Sequence, residues 1–315
     1  MVDRLPFRAF CTTEQHGVDD GYLPAQLTLI AGLGTVTDRV RLRTNALLLP
    51  LHPWRGVVEE AIVADLLSGG RLELGVAVGN YAHEFELFGT DMTKRGKLME
   101  AALPFIRMGL TEGVMPDGPG GSLMPVLPRP AQARMPIYLG GLADRVIDRA
   151  VRLTDGVMPV DFMEPEKAFK EFWETKLRPA LERHHRTLDG FRFIVCTHLW
   201  ASDDPERDWE DFYRSARDYQ LGKYAEWRRG SGADLPELEA LASPDSLLID
   251  TPENLAKRLL ALRSQIPFDE LVFWYRIPGV SHERALDHLS VVGRRVIPLL
   301  ADLPPGGTPH ASRPA

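Results

Sequence analysis

The run Asp65–Met92, DLLSGGRLELGVAVGNYAHEFELFGTDM, constrains the fold of this chain more than any other stretch. Asp65-Leu66-Leu67 closes an apolar helical segment, and Ser68-Gly69-Gly70 cannot continue it but supplies residues able to take positive φ. Leu72, Leu74, Val76 and Val78 then alternate at period two, with small Gly75 and Ala77 between them. A strand with apolar and small residues on both faces is covered on both sides, as a parallel strand of an α/β protein is. Past its carboxyl end come Gly79, Asn80, Tyr81, His83 and Glu84. Parallel α/β folds bind their ligands at that end of the strands.

The rest of the chain repeats the alternation. Strands are predicted at 7–12, 40–49, 72–78, 136–139, 156–160, 191–201 and 270–275. Helices are predicted at 24–34, 57–67, 94–108, 143–153, 164–186, 209–224 and 281–300, and one more is opened by Asp250-Thr251-Pro252-Glu253. Strand–helix alternation over this length means a parallel sheet of right-handed βαβ units. Residues 111–135 read as loop with a small hairpin. Residues 227–250 have no sustained period and read as a mobile lid. The tail 304–315 (PPGGTPHASRPA) reads as disorder, which leaves 1–303 as one domain. A (β/α)8 barrel needs eight strands; seven are read, and the eighth would precede Phe7.

Composition excludes several classes. The formal net charge is −7 and no dense basic run occurs, so nucleic acid is not an expected partner. Two cysteines, Cys11 and Cys196, support neither a zinc pattern nor a disulfide framework, and no metal site is read. No apolar run approaches the ~20 residues that span a bilayer. The start, MVDRLPFRAF, has no secretory apolar region, so a soluble, cytoplasmic protein is expected.

Several segments together resemble the luciferase-like monooxygenases: TTEQHG at 12–17, TNALLLPLHP at 44–53, EEAIVADLLSGGRLELGVAVGNYAHEFELFGTDM at 59–92, PIYLGG at 136–141 and the closing run 270–300. EFELFGTDM and MGLTEGVM, at 84–92 and 108–115, are similar to the α subunit of bacterial luciferase. The resemblance implies a TIM (β/α)8 barrel whose first β–α unit is not found ahead of Phe7. It implies an oxidoreductase acting with O2 and reduced FMN, delivered by a separate flavin reductase, on a small organic substrate, and a homodimer. Two alternatives stay open: a deazaflavin-dependent reductase on the same barrel, and a non-catalytic partner subunit like luciferase's β chain. Three departures from the family pattern stand out: the unit before Phe7, Gln15 where the family often has the first His of Glu-His-His, and Val78 where luciferase has a phosphate-contacting Arg.

Site residues follow from strand ends and from the resemblance. His16 has the pKa range for proton transfer, and Glu14 is placed to orient it. Asn45-Ala46 aligns with a non-proline cis peptide that the family sets beneath the flavin ring. Gly79 permits close backbone approach to a ligand, and Tyr81 offers a ring with a hydroxyl. Arg95, at a helix start, is expected to reach the FMN phosphate. Gly140-Gly141 is expected to present backbone N–H groups to the same phosphate. His198 is read as a core histidine, and His52 is assigned no role.

Overall fold

The computed structural model describes residues 1–118, 120–160, 164–227 and 247–300. The chain divides into two compact units: Arg8–Gly141 with Asp148–Gly156, and Met1–Phe7, Leu142–Ile147 with Val157–Ala315.

The first unit holds β1 (Ala9–Thr12), α1 (Gln26–Gly34), β2 (Arg41–Thr44), β3 (Leu47–Leu48), α2 (Trp54–Leu67), β4 (Leu72–Ala77), α3 (Ala82–Leu87), α4 (Arg95–Thr111), the hairpin β5 (Val114–Pro116) and β6 (Leu123–Pro125), and β7 (Ile137–Gly140). Its sheet is parallel in the order β1-β2-β4-β7, and β3 also pairs with β4. β4 is the central strand, buried on both faces as its alternation demands. Val76 lies in register with Leu47 on one side and Leu139 on the other. Glu73 is the exception in this apolar run. Its fully buried carboxylate receives Arg8 at 2.7 Å, Arg41 at 3.0 Å and Arg43, whose guanidinium is also fully buried. Those cations hold it ionised against the cost of burial.

The expected strand 40–49 is two pieces, β2 and β3, because the ladder breaks at Asn45–Ala46, where the peptide bond is cis. Ser68-Gly69-Gly70 ends α2 as read: both glycines have positive φ, and the Gly70 N–H closes onto the Asp65 carbonyl at 2.8 Å. After β7 the chain enters α5 (Asp144–Leu153).

The second unit holds β8 (Gly156–Met158), α6 (Pro165–Phe172), α7 (Arg178–Arg183), β9 (Arg192–Thr197), β10 (Leu199–Ala201), α8 (Pro205–Asp208), α9 (Arg214–Trp227), β11 (Leu248–Asp250), α10 (Pro252–Gln265), β12 (Glu270–Phe273) and α11 (His282–Val291). Only the first residue of β8 is counted with the other unit. β9 pairs with β12 up to Thr197 opposite Phe273. There β12 ends, so the expected single strand 191–201 splits at His198, and β10 takes β11 as its partner instead. Leu248–Asp250, read from sequence as part of a lid, is therefore strand; residues 228–246 of that reading lie outside the described residues, as do 301–315. Leu199, Leu248, Leu255, Leu289 and Val296 pack as one apolar cluster. Thr251 caps α10 as its sequence signature requires, accepting from the Asn254 N–H at 3.3 Å. Among the described residues, three helical stretches each contain a π-turn, at Trp173–Leu177, Trp209–Tyr213 and Val292–Val296.

Candidate active site

All nine sequence-predicted site residues fall in the first unit. The segment leaving β1 carries Glu14, Gln15 and His16, and all three turn inward. Glu14 is the hub. Its Oε2 accepts from the Gln26 amide at 3.1 Å and from the Leu48 N–H at 2.9 Å. Its Oε1 receives Nε2 of His16 and Nε2 of His52, each at 2.6 Å. Burial opposes the charge, yet the hydrogen bonds from His16, His52 and Leu48 outweigh it and draw the Glu14 carboxyl down to about 2. The bond to Glu14 raises His16 above its ordinary value of 6.5 against the opposing effect of burial.

Gln26, at the first position of α1, ties this hub to the strand ends. Its amide also donates to the Ala46 carbonyl at 2.9 Å, and its own oxygen accepts from Thr12 Oγ1 at 2.9 Å. Glu84 on α3 accepts the His16 backbone N–H at 3.0 Å, and His83 donates to the His16 carbonyl at 3.0 Å. Burial raises the Glu84 carboxyl, and its Oε2 has no hydrogen-bond partner among the described residues. Phe88 packs its ring against His16 with centroids 4.7 Å apart.

Ala46 meets β4 and β7 at their carboxyl ends. A Cβ added to Gly140 would lie 3.8 Å from Ala46 Cβ and 3.7 Å from Ala77 Cβ, so three small residues, from β7, the β2–β3 link and β4, adjoin. Gly79 has φ +75°, and a Cβ there would press on the Phe85 ring at 3.2 Å; both facts require glycine. Tyr81 precedes α3 and stacks on His83 at 6.1 Å. Gly141 has φ 141° and stands three residues before α5. Thus Glu14, His16, Ala46 and Gly140 are joined contact by contact, Gly79 adjoins Leu48, and Tyr81 reaches His16 through His83. Arg95 stands apart: it begins α4 and donates to the Met92 carbonyl at 3.0 Å, and no described contact links it to the cluster.

Among the participants given no site role from the sequence are Gln26, His52 and Glu84. The signals were faint. Gln26 looks like the polar start of a helix and His52 like a turn residue beside Pro53, while Glu84 suits a first helical turn. The donor atoms of Glu14, His16 and His52 lie within 4.8 Å of one another, a grouping able to hold a metal ion. Their 2.6 Å nitrogen–oxygen separations are those of charge-assisted hydrogen bonds, shorter than the ~3 Å between neighbouring ligands of a first-row ion.

In the second unit, His198 is fully buried, as expected. Burial, reinforced by Arg217, holds it well below the ordinary histidine range. It stacks on Trp274 at 5.3 Å and lies 3.5 Å from the Tyr213 hydroxyl.

The family described as luciferase-like monooxygenase matches residues 1–267. Among curated relatives, an uncharacterised protein of Mycobacterium tuberculosis is 35% identical over 137 residues, 41% of this chain and 46% of that protein. The alkanal monooxygenase alpha chain of Photorhabdus luminescens is 38% identical over 103 residues, 32% of this chain and 28% of that one. The oxygenase component of a flavin-dependent trigonelline monooxygenase from Acinetobacter baylyi is 33% identical over 110 residues, 34% and 30% of the two chains. These matches span less than half the length of each relative. Solved structures agree over nearly the whole chain. The oxygenating constituent of 3,6-diketocamphane monooxygenase from Pseudomonas putida, in complex with FMN, has TM-score 0.74 at 15% identity, covering 96% of this chain and 91% of that one. The coenzyme F420-dependent tetrahydromethanopterin reductase of Methanopyrus kandleri has TM-score 0.69 at 14% identity, covering 93% and 91%. At such identities the likeness speaks for the fold, an α/β TIM barrel with a largely parallel sheet. With more than half of its length matched, the chain belongs to the luciferase-like monooxygenase family.

Proposed function

We propose that this chain is a flavin-dependent monooxygenase that takes reduced FMN from a separate reductase and acts with O2 on a small organic substrate. The observation that carries the reading is the Glu14–His16 pair, held through Gln26 against the Ala46 strand end. An ionised Glu14 accepts only, so His16 must present Nε2–H to it, which leaves Nδ1 to take or give a proton. Glu14 has the holding role: its oxygens already serve four donors.

The residues fit a flat ring with a phosphate tail. Ala46, Ala77 and Gly140 bring small groups together where a ring would lie. Gln15 is buried, and its Nε2 has no hydrogen-bond partner among the described residues, a donor that an acceptor on a bound ligand would satisfy. Asn45, Ala46, Gly79 and Tyr81 would line the ring; Arg95 and Gly140-Gly141 would hold the phosphate. When bound, reduced flavin supplies the electrons that activate O2. The FMN in the diketocamphane enzyme and the name of the trigonelline relative, an oxygenase component, favour this reading.

The proposed enzyme is cytoplasmic and homodimeric. No described helix is long and apolar enough to cross a membrane. Val63, Leu66 and Leu67 leave an apolar stripe exposed on α2, in keeping with a paired subunit. Likeness to the F420-dependent reductase supports a second reading, a deazaflavin-dependent reductase on the same barrel. Anaerobic titration of the purified chain with reduced FMN, then with reduced deazaflavin, followed by oxygen uptake on mixing with air, tests both. Binding of deazaflavin alone favours the second reading. Binding of neither overturns both and leaves the partner-subunit reading.

A further inference from the structure

The two histidines on Glu14 have unequal histories in the sequence but equal geometry in the structure. Nε2 of each lies 2.6 Å from the same oxygen, Oε1. The other oxygen is occupied by Gln26 and Leu48. Both rings must therefore turn Nε2–H to the carboxylate, and both keep Nδ1 as their basic atom. Their side chains are 11% and 21% exposed, so each is within reach of solvent. The ring centroids are 6.2 Å apart, and Phe88 packs against both, at 4.7 Å and 6.1 Å.

One carboxylate offers one negative charge. A first imidazolium on either ring is balanced by it; a second would face the first across 6.2 Å with nothing further from Glu14 to offset it. No other titratable group among the described residues bonds to either ring. Glu84 acts on His16 only from a distance, favouring its charged form, and meets it through the backbone N–H. His83 meets His16 through the backbone carbonyl.

We propose that Glu14, His16 and His52 act as one unit that holds a single extra proton, and that His52 is a positioning residue setting how often His16 carries it. The proposal rests on the reading of His16 as the proton-handling group for its meaning in turnover, but its physical content belongs to the free protein. It assigns a role to His52, and it makes the proton occupancy of His16 depend on a residue 36 positions away in sequence.

The test is a pH titration of the full chain followed by NMR of 13C-labelled histidine rings, with His16→Gln and His52→Gln used to assign the two signals. Gln keeps a hydrogen-bond donor for Glu14 while removing the titration. The expected result is a linked titration in the wild type. In His52→Gln the midpoint of His16 rises by ~0.2 pH unit or more, since a ring that shares one proton with it exerts about half the repulsion of a full charge at this separation even at the dielectric of water. Glu14→Gln lowers the His16 midpoint and uncouples the rings. A His16 midpoint that is unmoved in His52→Gln overturns the proposal, whatever the fold of Glu14→Gln. The pH profile of flavin-dependent turnover is the second readout, and its acid limb moves with the His16 midpoint. If no flavin turnover exists, the functional reading fails while the titration still decides the coupling.

Discussion

The side-chain amide of Gln26 donates at once to the carbonyl of Ala46, at 2.9 Å, and to the carboxylate of Glu14, at 3.1 Å. One buried residue at the start of a helix therefore fixes both the strand end and the acid. Gln26→Leu leaves the Ala46 carbonyl, Glu14 Oε2 and Thr12 Oγ1 each short of a partner. We expect a loss of about 2–4 kcal/mol, since each orphaned buried group costs about 1–3 kcal/mol and they relax in part together. Urea unfolding of the two proteins measures it; a loss under about 1 kcal/mol would contradict the bonding described.

Glu14 and His16 give the stability curve opposite slopes. The Glu14 carboxyl falls from 4.5 to about 2 on folding, so its contribution is complete above pH 4.5 and is lost as pH falls toward 2. That shift corresponds to about 3 kcal/mol. His16 is raised above 6.5, so its contribution is complete below pH 6.5 and is lost as pH climbs through its folded value. Both are present together between pH 4.5 and 6.5. Glu14→Gln should flatten both limbs; unfolding free energies across pH 3–9 would expose a mutant that keeps them.

Glu73 holds three guanidiniums in the core of the first unit. Glu73→Ala deprives fully buried Arg43 of its carboxylate, and removing one member of such a buried pair costs about 3–5 kcal/mol. Flavin binding by whatever protein remains folded should be little changed, because no described contact joins Glu73 to the Glu14 cluster. Denaturant midpoints and a flavin titration separate the two effects.

Arg95 bears on the proposed phosphate contact alone. Arg95→Ala removes one bond to the Met92 carbonyl, so the fold should persist. Loss of a charge-assisted bond to phosphate, about 1.5–3 kcal/mol, predicts ~10–100-fold weaker FMN binding and a much smaller effect on riboflavin, which has no phosphate. Equal losses for both ligands would remove Arg95 from the phosphate site.

The stripe on α2 gives a fifth test. Leu66→Asp and Leu67→Lys together place charges on the exposed apolar face, 42% and 47% exposed in the single chain. If that face pairs subunits, sedimentation should shift from dimer to monomer; an unchanged sedimentation coefficient would move the interface elsewhere.

Much of this architecture was legible because it is written at short range. The alternation in 72–78 gave the central strand, the two glycines the turn before it, and Thr251-Pro252-Glu253 a capped helix. What stayed hidden depends on chain closure. Nothing local marks His52 as a partner of Glu14, 38 residues earlier. β11 sits in a polar stretch without period, and only its pairing with β10 makes it a strand. Gln26 reads as an ordinary helix start until Ala46 is brought over it. The Asn45–Ala46 cis bond was anticipated through the family resemblance, since neither residue type announces it.

The π-turn at Trp209–Tyr213 has a consequence for how this barrel can vary. Its wide turn absorbs one residue more than regular coiling would hold between α8 and α9. Ala216, Arg217 and Gln220, which follow it, are buried. Deleting a single residue here would restore regular coiling and leave the arginine and glutamine facing as they do now. This stretch, far from His16, can therefore lose one codon without turning its inner wall outward.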